Sequence, residues 1–423
     1  MGAEGVQWVT NNSSPLLTRW HGAAGSNVAY TPSTQAQATI YFDSISPWGY
    51  MGRMSVRPNG SVAARCDVGT TPLQSGDACY SDIDTENDHQ KMVYVEQFCW
   101  YVDTSLANNV FYWIGHVGDK FRLANNSANY TFSVSDIHPM FISNGVARPY
   151  IFVGAFEGYY NAAAGLLESR AGVSAVADTQ PTASLNITTA RGHAEAHGDG
   201  WGLMTYQAWC GIALCVLIEY ATFNVNSAIS QGIWNITQNA SNNCSCNVGH
   251  AASLGNATGQ VAFTSEGNGG AAEVATQAVN IRGIENLYGN LFQYVDGINI
   301  RTSSDYKVFI ADHDFSTDPT YAFSAPYANT GIVHQAQGFV QAFGYSVAAY
   351  KWMFIGVTAG GSFITYTCTY VENWAGSNGL AMGGDYGQAG AGTGLFTEKT
   401  FELAEADYNF GSRIQFTPPA AVA

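Results

Sequence analysis

The sequence predicts an α+β fold in which strands and long loops outweigh helices, and three observations carry that reading. Charged residues make up 11% of the 423 positions while aromatics reach 13%, so solvation falls to Asn, Ser, Thr, Gln and Gly rather than to ion-paired helix faces. Runs of β-branched and aromatic residues recur between Gly- and Asn-rich turns. Only one long stretch, after Thr205, has apolar residues at helical spacing.

From the start, residues 1–45 are polar and small, with isolated tryptophans at Trp8 and Trp20, and read as an attachment arm. Residues 46–135 read as a β-rich N-terminal domain. Met92 to Val102 is a β-branched and aromatic run, and Val110 to Gly115 follows an Asn-rich turn, which predicts a hairpin. Tyr130 to Val134 alternates, and the uninterrupted apolar run Tyr150 to Phe156 predicts a strand buried on both faces.

Residues 136–423 form the third predicted unit. Thr205 is placed to cap a helix whose Trp209, Ile212, Ala213, Val216 and Leu217 share a face, ending near Tyr220, and a shorter helix is expected around Ala194. Ser241 to Asn280, rich in Gly, Ala and Asn, reads as a loop. Strands are expected again at Leu291–Tyr294, Lys307–Ile310, Met353–Val357 and Phe363–Tyr370, then a glycine-rich loop from Ala375 to Gly394 and a last strand, Ser412–Phe416.

Composition also excludes function classes. A net charge of −16 repels phosphate backbones and anionic lipid, which argues against nucleic-acid partners. The longest apolar stretch, Trp209 to Ile218, is too short to span a bilayer, and no basic-then-apolar leader is read at the N-terminus, so a protein made in the cytoplasm without membrane insertion is expected. Eight cysteines are sparse for this length; Cys66 and Cys79 bracket a loop that a bridge could close, and Cys244 and Cys246 lie close together.

No motif for catalysis stands out. His193 and His197, four apart, could share a helix face and take zinc with Asp199, against the plainer reading of a polar helix end, and Glu195 lies on another face from both. The string Asp82 to Asp88 has alternating oxygens but lacks the glycine and terminal glutamate of a calcium loop. Neither a phosphate-binding glycine loop nor a nucleophile elbow occurs. No metal and no cofactor is expected.

Four segments in order resemble the C-type-lectin-like fold of formylglycine-generating (sulfatase-modifying) enzymes and of phage tail or adhesion proteins diversified by retroelements. They are Asp136-Ile-His-Pro-Met-Phe141 with Tyr150 to Gly158; Gly200-Trp-Gly-Leu-Met-Thr-Tyr-Gln-Ala-Trp209; Arg282 to Asp296; and Leu380-Ala-Met-Gly-Gly-Asp-Tyr386 with Gly411-Ser-Arg-Ile-Gln-Phe416. The resemblance spans roughly residues 136 to 416. It implies a small twisted antiparallel sheet, one or two helices, long loops on one side, and first and last strands brought side by side. The enzymatic branch relies on a cysteine pair in its C-terminal loop; Gly383 to Phe396 has none and Cys368 stands alone, so a binding protein rather than an enzyme is expected.

The C-terminal segment has the Tyr, Asn and Gly content that binding loops favour. Ten residues are the candidate ligand-binding set: Tyr366, Tyr370, Asn373, Trp374, Asp385, Tyr386, Gln388, Phe396, Tyr408 and Asn409. About half are expected to face inward, with Asp385, Tyr386 and Gln388 the leading choices for the surface. Together these readings imply a virion tail-tip or fibre adhesin that grips a host-surface protein or glycan, contacts other virion tail proteins and assembles as a homo-oligomer such as a trimer. The alternative is a structural virion protein, a decoration or baseplate component, using the same fold for subunit contacts.

Overall fold

The computed structural model describes residues 2–23, 25–65, 89–125, 127–175, 185–237, 243–316, 322–374, 376, 378–388 and 392–420. Cys66, Cys79 and the string Asp82 to Asp88 lie outside them. The fold is mixed α+β, with several small, mostly antiparallel sheets packed around one long helix.

That helix, Tyr206–Tyr220, begins where the sequence places it: the Thr205 hydroxyl accepts the Ala208 N–H at 3.1 Å. It is buried on every side except at Tyr220, because its residues are apolar all round. Its lone carboxylate, Glu219, is held by both ends of the Arg282 guanidinium at 2.7 and 2.8 Å. Ala221, in the left-handed region at φ 51°, stops it.

A six-stranded antiparallel sheet lies beside the helix in the order Trp201–Leu203, Ile414–Phe416, Tyr150–Gly154, Gln90–Glu96, Gly52–Val56, Val62–Arg65. Phe152 is opposite Phe416, and Trp201 faces Phe416 from the other side. Tyr150–Gly154 is buried on both faces beyond its first residue, as its unbroken apolar run predicts. Strands from the expected second and third units thus share one hydrogen-bonded sheet across position 135.

Residues 1–45 are likewise built in rather than appended. Glu4–Val9 is the central strand of a five-stranded sheet, pairing with Thr18–His21 and with Asn109–Gly115. Trp8 is buried edge-on to Phe223 at 5.2 Å. The helix Gln35–Asp43 buries Ala38 and Phe42 in the same core as the long helix. Small polar residues hid this, because the apolar side of each element is only two or three residues wide.

Arg413 fastens the C-terminal strand. Fully buried, it donates to Gln293 Oε1 at 3.0 Å and to the carbonyls of Gly154, Glu285 and Asn286 at 2.8, 2.7 and 3.1 Å. Three segments far apart in sequence meet on one guanidinium.

Other expectations shift. Ser241 to Asn280 is not all loop: Gly259–Thr264 pairs with Ala275–Ile281, whose few large apolar residues are diluted by the surrounding Gly, Ala and Asn. Met353–Val357 becomes a later strand, Gly356–Ala359. Phe363 to Tyr370 turns instead of extending, with Tyr366 and Cys368 at φ 56° and 52°; only Tyr370 enters a strand, Tyr370–Glu372. Lys307–Ile310 is a strand with the expected bounds. Among the described residues no helix is long and apolar enough to cross a membrane.

Candidate functional site

A seven-stranded sheet carries the C-terminal candidates, in the order Gly356–Ala359, Gly338–Phe343, Tyr370–Glu372, Glu398–Phe401, Gly379–Met382, Phe292–Tyr294, Phe410–Gly411. Tyr370, Glu372 and Trp374 alternate along one edge of the chain and fall on one face. Trp374 is 58% exposed, a large apolar ring offered to solvent.

The ring is nevertheless held. Its indole N–H donates to Glu372 Oε1 at 3.0 Å, and its backbone N–H to Thr400 Oγ1 at 2.9 Å. Glu372 Oε2 accepts the Gln388 amide at 3.0 Å, and Lys399 Nζ stands 3.4 Å from Oε1. Lys399 in turn lies over the rings of Phe292, Phe410 and Trp374, at 5.0, 5.1 and 5.8 Å from their centres. A cation on the inner side of the indole and a carboxylate at its N–H fix the plane of the ring.

Asn373 supports this group from beneath. Its Nδ2 donates to the Gln335 carbonyl at 3.0 Å and its Oδ1 accepts the Thr400 hydroxyl at 2.9 Å. Below it His334 Nε2 meets the buried Glu398 carboxylate at 2.6 Å, where burial pushes the Glu398 carboxyl upward. Tyr370 sits edge-on to Phe339 at 5.0 Å, and its hydroxyl accepts the Gln337 amide at 2.8 Å. The surface group is therefore Tyr370, Glu372, Trp374 and Gln388, with Gln337 beside it.

Four of the ten candidates are inside the protein. Asp385 and Tyr386 are each 1% exposed, and Phe396 and Asn409 are also buried. Two of the leading surface choices thus face the core. The reason is local: Gly383 and Gly384 both take positive φ, 99° and 78°, and a Cβ on Gly384 would sit 2.4 Å from the Gly392 carbonyl oxygen, so the two glycines fold the chain inward. Asp385 Oδ2 then accepts the Asn409 amide and Oδ1 the Gly387 N–H at 2.9 Å. Burial pushes its carboxyl up to about 6, against the pull of Asn409 and Lys399. Phe396 packs on Phe354 at 4.8 Å and Phe223 at 5.6 Å. Tyr366 and Tyr408 are half-buried, Tyr366 on a turn whose N–H bonds the Ser13 carbonyl at 2.7 Å.

Glu372 and Lys399 were absent from the candidate set. Glu372 was not legible, since the strand that aligns it with Tyr370 and Trp374 begins at Tyr370, where the expected strand ended. Nor was Lys399, because nothing local tells a buried lysine from a surface one.

The histidines weighed for zinc do structural work. His193 Nδ1 donates to the Gly165 carbonyl at 2.8 Å and His197 Nε2 to the Leu167 carbonyl at 2.7 Å, so the helix Ile187–Glu195 and its end clamp the hairpin Tyr159–Glu168. Among the described residues no cysteine is in a disulfide, and Cys244 and Cys246 are both buried. Comparison with protein-family models and with curated proteins returns no match.

Proposed function

We propose that the chain is a non-enzymatic receptor-binding protein, a virion tail-tip or fibre adhesin whose contact surface centres on Trp374. The observation that carries this reading is the exposed indole fixed by Glu372 and Lys399 with the Gln388 amide alongside. A protein has little reason to order an exposed tryptophan from three sides unless something docks on it, and rigid aromatics beside adaptable amides are what binding surfaces use. The target is a host-surface protein or glycan.

The lectin-like reading of residues 136–416 is supported by the pairing of Tyr150–Gly154 with Ile414–Phe416, since that fold joins its first and last strands. Presentation in a homo-oligomer, a trimer among the options, would multiply a weak single site. A role as a decoration or baseplate subunit is favoured by a different observation. Phe363 and Ile364, 53% and 55% exposed, line a groove with Phe223, whose N–H bonds Pro15 beside the exposed Leu16.

Adsorption to the natural host by particles carrying Trp374→Ala and Gln388→Ala tests the proposal. Loss of adsorption with an unchanged melting midpoint supports it. Unchanged adsorption by folded variants sinks it. Full adsorption combined with failed particle assembly in Phe363→Ser and Ile364→Ser variants would favour the structural role.

A further inference from the structure

A second site lies away from the glycine-rich segment, in a cleft of about 450 Å³. Stretches far apart in sequence form its walls, among them the turn and hairpin from Pro139 to Arg148, the run from Gly200 to Gln207, the loop Asp312 to Phe315 and the tail Thr417 to Pro419, with Glu195 and Asp296 beside them. Gly145 N–H donates to Asp312 Oδ2 at 3.0 Å, which ties the hairpin to the loop across it.

Two lining side chains each carry a buried polar atom without a hydrogen bond. Arg148 is 8% exposed, and among the described residues no acceptor meets its guanidinium; its Nε is buried without a hydrogen bond. Gln207, 4% exposed, donates Nε2 to the Ala311 carbonyl at 2.6 Å, while its Oε1 is buried with nothing to accept from. A buried Nε–H and a buried amide oxygen left unmet on the wall of a cleft are groups that a ligand seated there can complete.

The carboxylates around it decide what kind of ligand. Asp296 is already neutralised by Arg191, which holds both of its oxygens, Nε at 2.8 Å from Oδ2. Asp312 is met by His313 Nδ1 at 2.5 Å. Glu195 and Asp314 lie at the exposed rim, Asp314 3.6 Å from the other ring nitrogen of His313. This rim repels a phosphate dianion more strongly than a singly charged carboxylate, and one planar guanidinium matches one carboxylate in a two-pronged contact. Acceptor-only rim carboxylates and Gln207 Oε1 ask for hydroxyl donors. Phe315, Pro418 and Pro419 add apolar surface for a ring face.

We infer that this cleft binds an acidic sugar, a hydroxylated ring bearing one carboxylate, with the carboxylate on Arg148 and hydroxyls on Asp314 and Glu195. The volume suits one or two such rings. The inference is independent of the Trp374 surface.

Saturation-transfer NMR on the full chain, with glucuronate and glucose as observed ligands and inorganic sulfate as a competitor, tests it. Glucuronate should give signal at millimolar concentration, with glucose at least about tenfold weaker. Arg148→Gln should weaken glucuronate at least about tenfold, and Asp314→Asn, on an exposed residue that leaves folding intact, about threefold or more. Should Arg148→Gln fail to fold, Asp314→Asn decides alone. Silence from glucuronate overturns the inference, as does unchanged binding in Asp314→Asn. Sulfate displacing glucuronate and binding as well as it does would mark a bare anion site and also overturn it.

Discussion

The Glu372 carboxylate receives the Trp374 indole N–H at 3.0 Å and, on its other oxygen, the Gln388 amide at the same distance. One residue thus orders both ends of the proposed contact surface and balances Lys399, which is almost wholly buried. Glu372→Gln keeps an acceptor but removes the charge facing Lys399. Acrylamide quenching of Trp374 is expected to rise, host binding to weaken several-fold, and stability to fall by about 1–2 kcal/mol. Quenching and binding that match the parent protein would show that Trp374 is ordered without Glu372.

Asp385 gives a pH signature. Its folded-state carboxyl is raised to about 6 from an ordinary 3.8, so burial favours the protonated form. The stability it contributes is present in full below 3.8 and is lost as pH rises through about 6, an amount on the order of 3 kcal/mol. Asp385→Asn should remove that slope and make the protein more stable near neutral pH. Asn409 can accommodate it, because its Oδ1 has no partner and an amide flip would let it accept from the new side chain. Urea titrations across about pH 4 to 7 check this; parallel curves for parent and variant would count against it.

How far these features could be read in advance follows from where their causes lie. The long helix was legible because Thr205 and the run to Tyr220 sit within one segment. Tyr370 and Trp374 were legible by residue type, but their alignment with Glu372 was not, since the strand that sets it begins at Tyr370, where the expected strand ended. Asp385 and Tyr386 were not, since a glycine pair permits an outward or an inward turn, and the choice rests on Asn409 and on the approach of Gly392. The strands Gly259–Thr264 and Ala275–Ile281 were lost because their few large apolar residues, Val261, Phe263, Val279 and Ile281, are embedded in a Gly-, Ala- and Asn-rich stretch. Arg148 and Gln207 meet only through tertiary structure, and local sequence does not distinguish an unpartnered arginine from a paired one.

Arg413 should be among the most sensitive positions for stability. Its guanidinium satisfies three backbone carbonyls and Gln293, all inside the protein. Arg413→Met fills much of the volume but leaves those acceptors unpaired, a loss of about 3–5 kcal/mol. Chemical denaturation measures it. A loss below about 1 kcal/mol would mean that water replaces the guanidinium and that the junction of strands Tyr150–Gly154, Phe292–Tyr294 and Ile414–Phe416 does not depend on it.

Deleting residues 1–22 separates an appended arm from an integral sheet. The deletion removes both Glu4–Val9 and Thr18–His21 from beside Asn109–Gly115, and removes Trp8 from its contact with Phe223. Asn109–Gly115 would become an edge strand with open N–H and C=O groups, and the core beneath would be uncovered. Burial of Trp8 and Val6 alone accounts for several kcal/mol, a large part of the net stability of a typical domain. The shortened chain is expected to aggregate and to lack a cooperative melting transition, as read by light scattering and calorimetry. An arm that merely attached the protein to a larger particle would leave the remaining residues melting at the parent temperature.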